Sequence, residues 1–302
     1  MILVLAGPTG SGKSALAVAL ARRVGGEIVN ADSQQIYRHL DVGTASPSPA
    51  ERAAVPHHLL DVDEPGEGMD AARFVALADA AIAGIVSRGR LPLVVGGTGL
   101  YLRALLHGVV EAPGRDPVLR ARLTAEAAAL GRPALHARLA TIDPQAATRI
   151  LPNDLLRVIR ALEIAAGGRT QSELHAAHAF LPQRHRALFL ALDPPRQQLK
   201  ASLDARVEAI FADGILDEAR WLIDRFGAAL PARLPIGYAE AVAVVRRELP
   251  VNEAIRRVQA AHRQYARRQV VWLKREPGVE WLATPVDAEA LARRVTAWRA
   301  AP

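Results

Sequence analysis

The chain of 302 residues contains no cysteine. Disulfides, thiolate nucleophiles and cysteine-ligated zinc are therefore excluded, which suits a reducing compartment. No apolar run approaches the ~18 residues that a membrane-spanning helix needs. No basic leader or cleavage site precedes the first apolar stretch, so a cytoplasmic protein without a signal peptide and without a membrane partner is expected. Internal repeats and low-complexity linkers are also missing. Half of the residues are hydrophobic, enough to bury a sizeable core in one large domain or two smaller ones. The formal net charge is +7. That balance favours an anionic partner such as nucleic acid, although many basic enzymes never touch one.

Residues 2–6 read as a short buried strand, and a glycine-rich loop follows. Residues 13–24 show helical spacing through Leu16, Ala19, Leu20 and Arg23, closed by Gly25-Gly26. Further strands are expected at 27–29, 57–62 and 91–95, with helices at 73–88 and from 100 onward. This alternation predicts an α/β fold built on a doubly wound parallel sheet. After Pro113 the pattern changes: residues 116–178 read as nearly all helix, at 117–130, 133–142 and 153–166. Strand character returns at 186–192, and helices follow at 196–213, 215–226, 239–248 and 252–275. The expected organisation is a phosphate-loop catalytic core (1–115 and 186–302) with a helical insertion domain at 116–185 and a helical C-terminal region.

Gly7-Pro8-Thr9-Gly10-Ser11-Gly12-Lys13-Ser14 fits the pattern G-x-x-x-x-G-K-[ST]. It lies between a predicted strand and a predicted helix, which separates a phosphate loop from an ordinary glycine turn. Glycines let backbone N–H groups turn inward around phosphate oxygens, and the helix N-terminus adds its positive end. Lys13 supplies a point charge, and the Ser14 hydroxyl can hold Mg²⁺. The loop does not select the phosphate compound. ATP is its usual guest, so a small-molecule kinase is the default rival.

Asp32 ends the second strand, where ligands of open α/β sheets collect. Its carboxylate can hold a metal through water or accept a proton; the commoner use of an Asp there is to start a turn. The strand at 91–95 ends in Gly96-Gly97-Thr98-Gly99. Enzymes that hydrolyse ATP with a phosphate loop usually end a neighbouring strand in Asp, so this end counts against ATP hydrolysis. The glycines there permit a close approach by ligand or backbone. His57-His58 looks like a metal pair, but neighbours on a strand point to opposite faces and share one ion poorly. In the last predicted helix, Arg256, Arg263, Arg267 and Lys274 fall within about 20° of one line, a basic ridge suited to a phosphate backbone or simply to water. Ile255, Val258, His262, Tyr265 and Gln269 form a different face.

Several stretches occur in a telling order: the phosphate loop, Asp32-Ser33-Gln34-Gln35-Ile36-Tyr37, Asp41-Val42-Gly43-Thr44-Ala45, Pro56-His57-His58-Leu59-Leu60-Asp61, and Gly96-Gly97-Thr98-Gly99-Leu100-Tyr101. Asn153-Asp154, Arg157-Val158-Ile159-Arg160-Ala161-Leu162-Glu163 and Arg263-Gln264-Tyr265-Ala266-Arg267-Arg268-Gln269, with Trp272, complete the series. The set resembles the bacterial tRNA isopentenyltransferase family, the tRNA dimethylallyltransferases, from Met1 to about Lys274.

The resemblance implies transfer of a dimethylallyl group from dimethylallyl diphosphate to N6 of adenosine 37, beside the tRNA anticodon, with Mg²⁺ and release of diphosphate. It implies that Asp32 takes the N6 proton and that Thr98 lies near the adenine and the transferred carbon. It implies that Gly7 to Ser14 hold the diphosphate, with Ser14 on the metal, and that Ser33, Gln34, Gln35, Arg157, Arg160, Arg263 and Arg267 meet tRNA. The helical insertion would grip the anticodon stem, and a monomer is expected. Two positions depart from the family pattern. Leu234 stands where an arginine usually precedes the Gly237-Tyr238 motif, leaving Arg233, one residue earlier, as its candidate replacement on the diphosphate. Leu156 stands where a glutamine commonly precedes Arg157. The rivals are an adenylate isopentenyltransferase acting on a free nucleotide, the small-molecule kinase, and a non-catalytic RNA-binding protein.

Overall fold

A computed structural model describes residues 1–109, 112–114, 116–179 and 183–301. Its strands are β1 (Ile2–Ala6), β2 (Gly26–Asn30), β3 (His57–His58), β4 (Leu91–Gly96), β5 (Ala187–Asp193) and β6 (Glu280–Ala283). They form one parallel sheet in the order β3-β2-β4-β1-β5-β6. β1, β2 and β4 are buried at every position, as strands covered on both faces must be.

The period-2 alternation of β1 separates two cores. Ile2, Val4 and Ala6 face α3 (Ala71–Ser87) and α4 (Gly99–His107) through Phe74, Ile85, Leu102 and Leu105. Leu3 and Leu5 face α1 (Lys13–Val24) and the C-terminal helix through Ala17, Leu20, Leu291 and Val295. The short α2 (Pro49–Ala54) carries a capping box between Ser48 and Glu51. One acidic side chain of the strands is buried: Glu27 on β2 is 3% exposed. Arg88 donates to both its oxygens and His58 meets one of them, which holds its carboxyl below the usual range against the cost of burial.

The chain divides into two compact units, residues 1–106 with 185–302, and residues 107–184. The boundary expected at residue 115 lies outside the described residues. The second unit contains α5 (Pro117–Leu130), α6 (Arg132–Ile142), α7 (Pro144–Arg149), α8 (Leu155–Ala166) and α9 (Gln171–Ala179). Asp116, Asp143 and Asp154 cap α5, α7 and α8, and proline opens α5, α6 and α7 near the first helical position. Leu123, Leu135, Leu139, Val158 and Leu162 form its own core. Buried Glu163 on α8 is paired there by Arg120 of α5. In the first unit, α10 (Arg196–Asp213), α11 (Ile215–Phe226), α12 (Tyr238–Val245) and α13 (Val251–Leu273) pack around Val207, Phe211, Leu222, Tyr238 and Val258. The last helix is α14 (Ala288–Ala300).

The structure corrects some element boundaries. The strand expected at 57–62 is two residues long, because Leu59 and Asp61 take left-handed backbone (φ 63 and 55). β6 and α14 carry no expectation from the sequence. β6 is a four-residue edge strand with half-exposed Trp281 and Leu282 at its centre, too short for alternation to register. Among the described residues no helix is long and apolar enough to cross a membrane.

Candidate active site

β1 runs directly into the phosphate loop. Gly10 and Gly12 take left-handed backbone (φ 80 and 82), which L side chains rarely adopt. Gly12 precedes α1, whose first N–H groups receive no side-chain cap and remain available to an anion. Lys13, the first residue of α1, is 7% exposed. Burial lowers its pKa, Asp32 opposes that shift, and Arg206 adds to it.

Asp32 follows β2 and is 6% exposed. Asn30 holds the backbone there: its Oδ1 accepts the Asp32 N–H and its Nδ2 donates to the carbonyls of Asp32 and Leu59. Asp32 Oδ1 accepts the Gln34 N–H at 3.0 Å, so the residue does start a turn. The same carboxylate lines a cleft with Thr9, Lys13, Ser14, Arg206, His262 and Tyr265. Asp32 thus starts a turn and also lines the cleft. The space along this cleft, part of it open to solvent, is about 410 Å³, and a neighbouring cleft of about 320 Å³, also partly open, shares Lys13, Ser14 and Gln35 with it. Ala17, Ile28, Leu60 and Val95 give the second cleft an apolar lining.

Thr98 follows β4 and meets Ser33, the residue after Asp32; it lines neither cleft. Its Oγ1 accepts the Ser33 N–H at 2.9 Å and donates to the Ser33 hydroxyl at 3.1 Å. Burial, with Asp32 nearby, raises the Tyr265 phenol pKa, and the hydroxyls of Thr98 and Ser33 oppose that shift. Tyr265 belongs to the α13 face that carries His262 and Gln269, and the fold turns that face inward. Gln269 Oε1 accepts the Thr9 N–H at 2.8 Å, tying α13 to the phosphate loop. The glycines after β4 serve this approach. A Cβ at Gly97 would strike the Gln269 amide, and one at Gly99 would strike the Trp272 ring. Two side chains of α13 thus occupy the room expected for a ligand or backbone.

The sequence reading missed Arg206. This half-buried α10 residue donates to Thr9 Oγ1 at 3.2 Å and to the Ala45 carbonyl at 3.4 Å. Burial lowers its pKa, and Asp32 opposes that shift. The available signal was position: Arg206 adjoins the buried stripe Leu203, Val207 and Ile210. Arg233, the expected substitute on the diphosphate, is exposed and does not line either cleft. Glu218 was also missed. Its carboxylate accepts the N–H groups of Asp41, Val42 and Gly43 and the Tyr238 hydroxyl. That clamp fixes the loop whose Ala45 carbonyl receives both Arg206 and Gln35.

The residues expected to meet tRNA fall into two groups. Gln34 and Gln35 are engaged inside the protein: Gln34 Oε1 accepts the Ile236 N–H at 2.9 Å, and Gln35 Nε2 donates to Ala45 at 2.8 Å. Arg263 is ion-paired with Asp204 of α10, and Arg256 with Glu253. Arg267 is exposed and pairs with no acid among the described residues. The ridge is therefore not one uniform row of free cations. In the second unit Arg157 is exposed, 3.5 Å from Asp154, whereas Arg160 donates to the Pro113 carbonyl at 2.9 Å. The two histidines diverge as expected: His57 hydrogen-bonds to Val55 and lines the smaller cleft, and His58 meets Glu27. Among the described residues no three His, Cys, Asp or Glu side chains cluster as a metal cage.

Comparison with known proteins places these residues in context. The model of a family described as "IPP transferase" matches residues 35–276. A tRNA dimethylallyltransferase of Anaeromyxobacter sp. (strain K) is 73% identical over 294 residues, 97% of this chain and 96% of that protein. One from Myxococcus xanthus (strain DK1622) is 50% identical over 95% of this chain and 94% of its own length. Both alignments extend well beyond the stretch matched by the family model. Among solved structures, the tRNA isopentenylpyrophosphate transferase of Bacillus halodurans superposes with a TM-score of 0.69 at 36% identity, covering 99% of this chain and 95% of that one. A eukaryotic dimethylallyltransferase solved while acting on tRNA gives a TM-score of 0.83 at 28% identity, covering 100% of this chain and 80% of that one.

Proposed function

Since the chain belongs to the IPP transferase family, we propose that it transfers a dimethylallyl group from dimethylallyl diphosphate to N6 of adenosine 37 in tRNA, releasing diphosphate. The observation that carries this reading is the single cleft shared by Asp32 and the phosphate loop with Lys13 and Arg206. A proton acceptor and an anion cradle face one space, as displacement of a diphosphate by an amine requires.

The N6 nitrogen attacks the allylic carbon. The carbon–oxygen bond to the diphosphate breaks with its electron pair, and a carbon–nitrogen bond forms. An exocyclic amine is a poor nucleophile, so the Asp32 carboxylate takes the N6 proton as the bond forms. Lys13, Arg206 and the uncapped first N–H groups of α1 hold the oxygen that gains charge. Thr98, fixed by Ser33, positions the adenine beside Asp32. The apolar lining of the adjoining cleft suits the hydrocarbon tail. The adenine must leave its stack to enter.

Mg²⁺ fits the donors present. Ser14 supplies a hydroxyl to the cleft, and a cation that keeps several waters and shares substrate phosphates needs no protein cage. When bound, it neutralises charge on the diphosphate. The second unit, with exposed Arg157, and Arg267 on α13 serve tRNA.

The test is incubation with radiolabelled dimethylallyl diphosphate, Mg²⁺ and unmodified tRNA. Label should enter the RNA, and Lys13→Ala should abolish incorporation. Lys13-dependent release of phosphate from ATP, with no labelled RNA, would overturn the reading in favour of a kinase or hydrolase.

A further inference from the structure

The reaction as described leaves one polar side chain of the cleft without a task. His262 lies on the inward face of α13, 8% exposed, among Thr9, Lys13, Asp32 and Arg206. Its Nδ1 and Nε2 are both buried and neither has a hydrogen-bond partner. Buried polar atoms are nearly always paired, because burial forfeits their bonds to water. A ring with both nitrogens unpaired, set in the wall of a binding cleft, is completed by what enters the cleft. Burial, and then Arg206, drop its pKa to about 4 against the opposing effect of Asp32. The ring at neutral pH is therefore uncharged, with one N–H donor and one acceptor nitrogen.

The cleft presents two substrates to this ring, a phosphate anion and a base. The charged groups that act on it are Arg206 from α10 and, with less effect, Asp32 from the loop after β2. Arg206 is itself bonded to Thr9 of the phosphate loop, and both line the cleft with the ring and Lys13. An uncharged donor also suits that place. Lys13 and Arg206 are already two cations whose pKa values fall on burial. A third would repel both while the cleft is empty, whereas a neutral N–H adds a contact without adding charge.

Resting on the reading that the cleft receives a prenyl diphosphate, we propose that His262 donates its ring N–H to an oxygen of the diphosphate. The bond strengthens as that oxygen gains charge in the leaving group, so His262 contributes to transfer as well as to binding.

The test is calorimetric titration of inorganic pyrophosphate, with Mg²⁺, into the wild-type protein and the variants Lys13→Ala, His262→Ala, His262→Asn and His262→Gln. His262→Ala should weaken binding by about tenfold to a hundredfold, the range for a hydrogen bond to a charged group. Asn places an amide N–H near Nδ1 and Gln places one near Nε2, so one of the two should recover most of the loss. tRNA affinity should not change in any His262 variant. The wild-type protein labelled with ¹⁵N-histidine gives a readout that no folding defect can obscure: pyrophosphate should shift one His262 ring nitrogen and slow exchange of its proton. Normal pyrophosphate affinity in His262→Ala, with Lys13→Ala impaired, would overturn the assignment. So would an unshifted ring, or a loss confined to tRNA binding. Absence of pyrophosphate binding to the wild type would instead overturn the underlying reading of the cleft.

Discussion

Asp32 shows how little a residue's commonest use says about its rarer one. It caps a turn through Oδ1 and still presents its carboxylate to the cleft. Asp32→Ala should therefore lower prenyl transfer by ~10²–10⁴-fold, the usual contribution of a general base. tRNA binding should stay within a few-fold, because Asn30 continues to hold the local backbone through its bonds to Asp32 and Leu59. Single-turnover transfer beside filter binding checks both, and near-normal turnover would remove Asp32 from the chemistry. Glu27 makes a different point. Its pKa is depressed, first by the Arg88 hydrogen bond and also by His58. A depressed carboxyl stabilises the fold above its unfolded pKa of about 4.3 and loses that contribution as pH falls through the lower folded value. Arg88→Met should thus lower the Tm at pH 7, and the gap to wild type should close below about pH 4 as Glu27 protonates. A gap that persists in acid, read from melting curves, would mean that the arginine acts through packing.

At the scale of elements, legibility followed length and pattern. The phosphate loop was readable because near neighbours in sequence fix it: a strand, a turn, a helix start. Asp32 and Thr98 became candidates only through the ordered motifs, since local pattern alone reads one as a turn residue and the other as part of a tight turn. Strands buried on both faces were readable as apolar runs. β6 was not, being four residues at the sheet edge. Arg206 and Glu218 escaped because helix spacing shows that a residue adjoins a buried stripe and not what lies opposite it. α13 carries the same lesson in both directions. The sequence separated its basic line from the face of His262, Tyr265 and Gln269, and the fold turns the second face inward. The basic line divides further, since Arg263 is held by Asp204 while Arg267 stays exposed. The two arginines should part on substitution. Arg267→Glu should weaken tRNA binding and lower its salt slope by about one, with Tm unchanged. Arg263→Glu would set two acids together across α10 and α13 and should lower Tm as well. Equal effects of the two variants on Tm and salt slope would restore the uniform ridge.

For the whole molecule, the net charge of +7 is spread rather than concentrated. Residues 107–184 hold ten arginines against seven acids, and the remainder holds 28 basic residues against 24 acidic ones. Neither part has the dense positive charge that would bind RNA indiscriminately, so tRNA affinity should require contributions from both. The diphosphate site makes no such demand. Every residue assigned to it lies in 1–106 or 185–302, and each unit has its own apolar core. A protein in which residues 107–184 are replaced by a short glycine–serine linker should therefore fold and bind pyrophosphate about as well as the full chain. Its tRNA affinity should fall by roughly tenfold or more near 0.15 M salt, and its salt slope should drop by about one for each phosphate contact removed. Calorimetry with pyrophosphate and filter binding of tRNA at two salt concentrations measure both quantities. If tRNA affinity survives, the core alone carries the RNA site. If pyrophosphate binding is lost from a protein with a normal circular dichroism spectrum and a cooperative melt, the cleft depends on the helical unit.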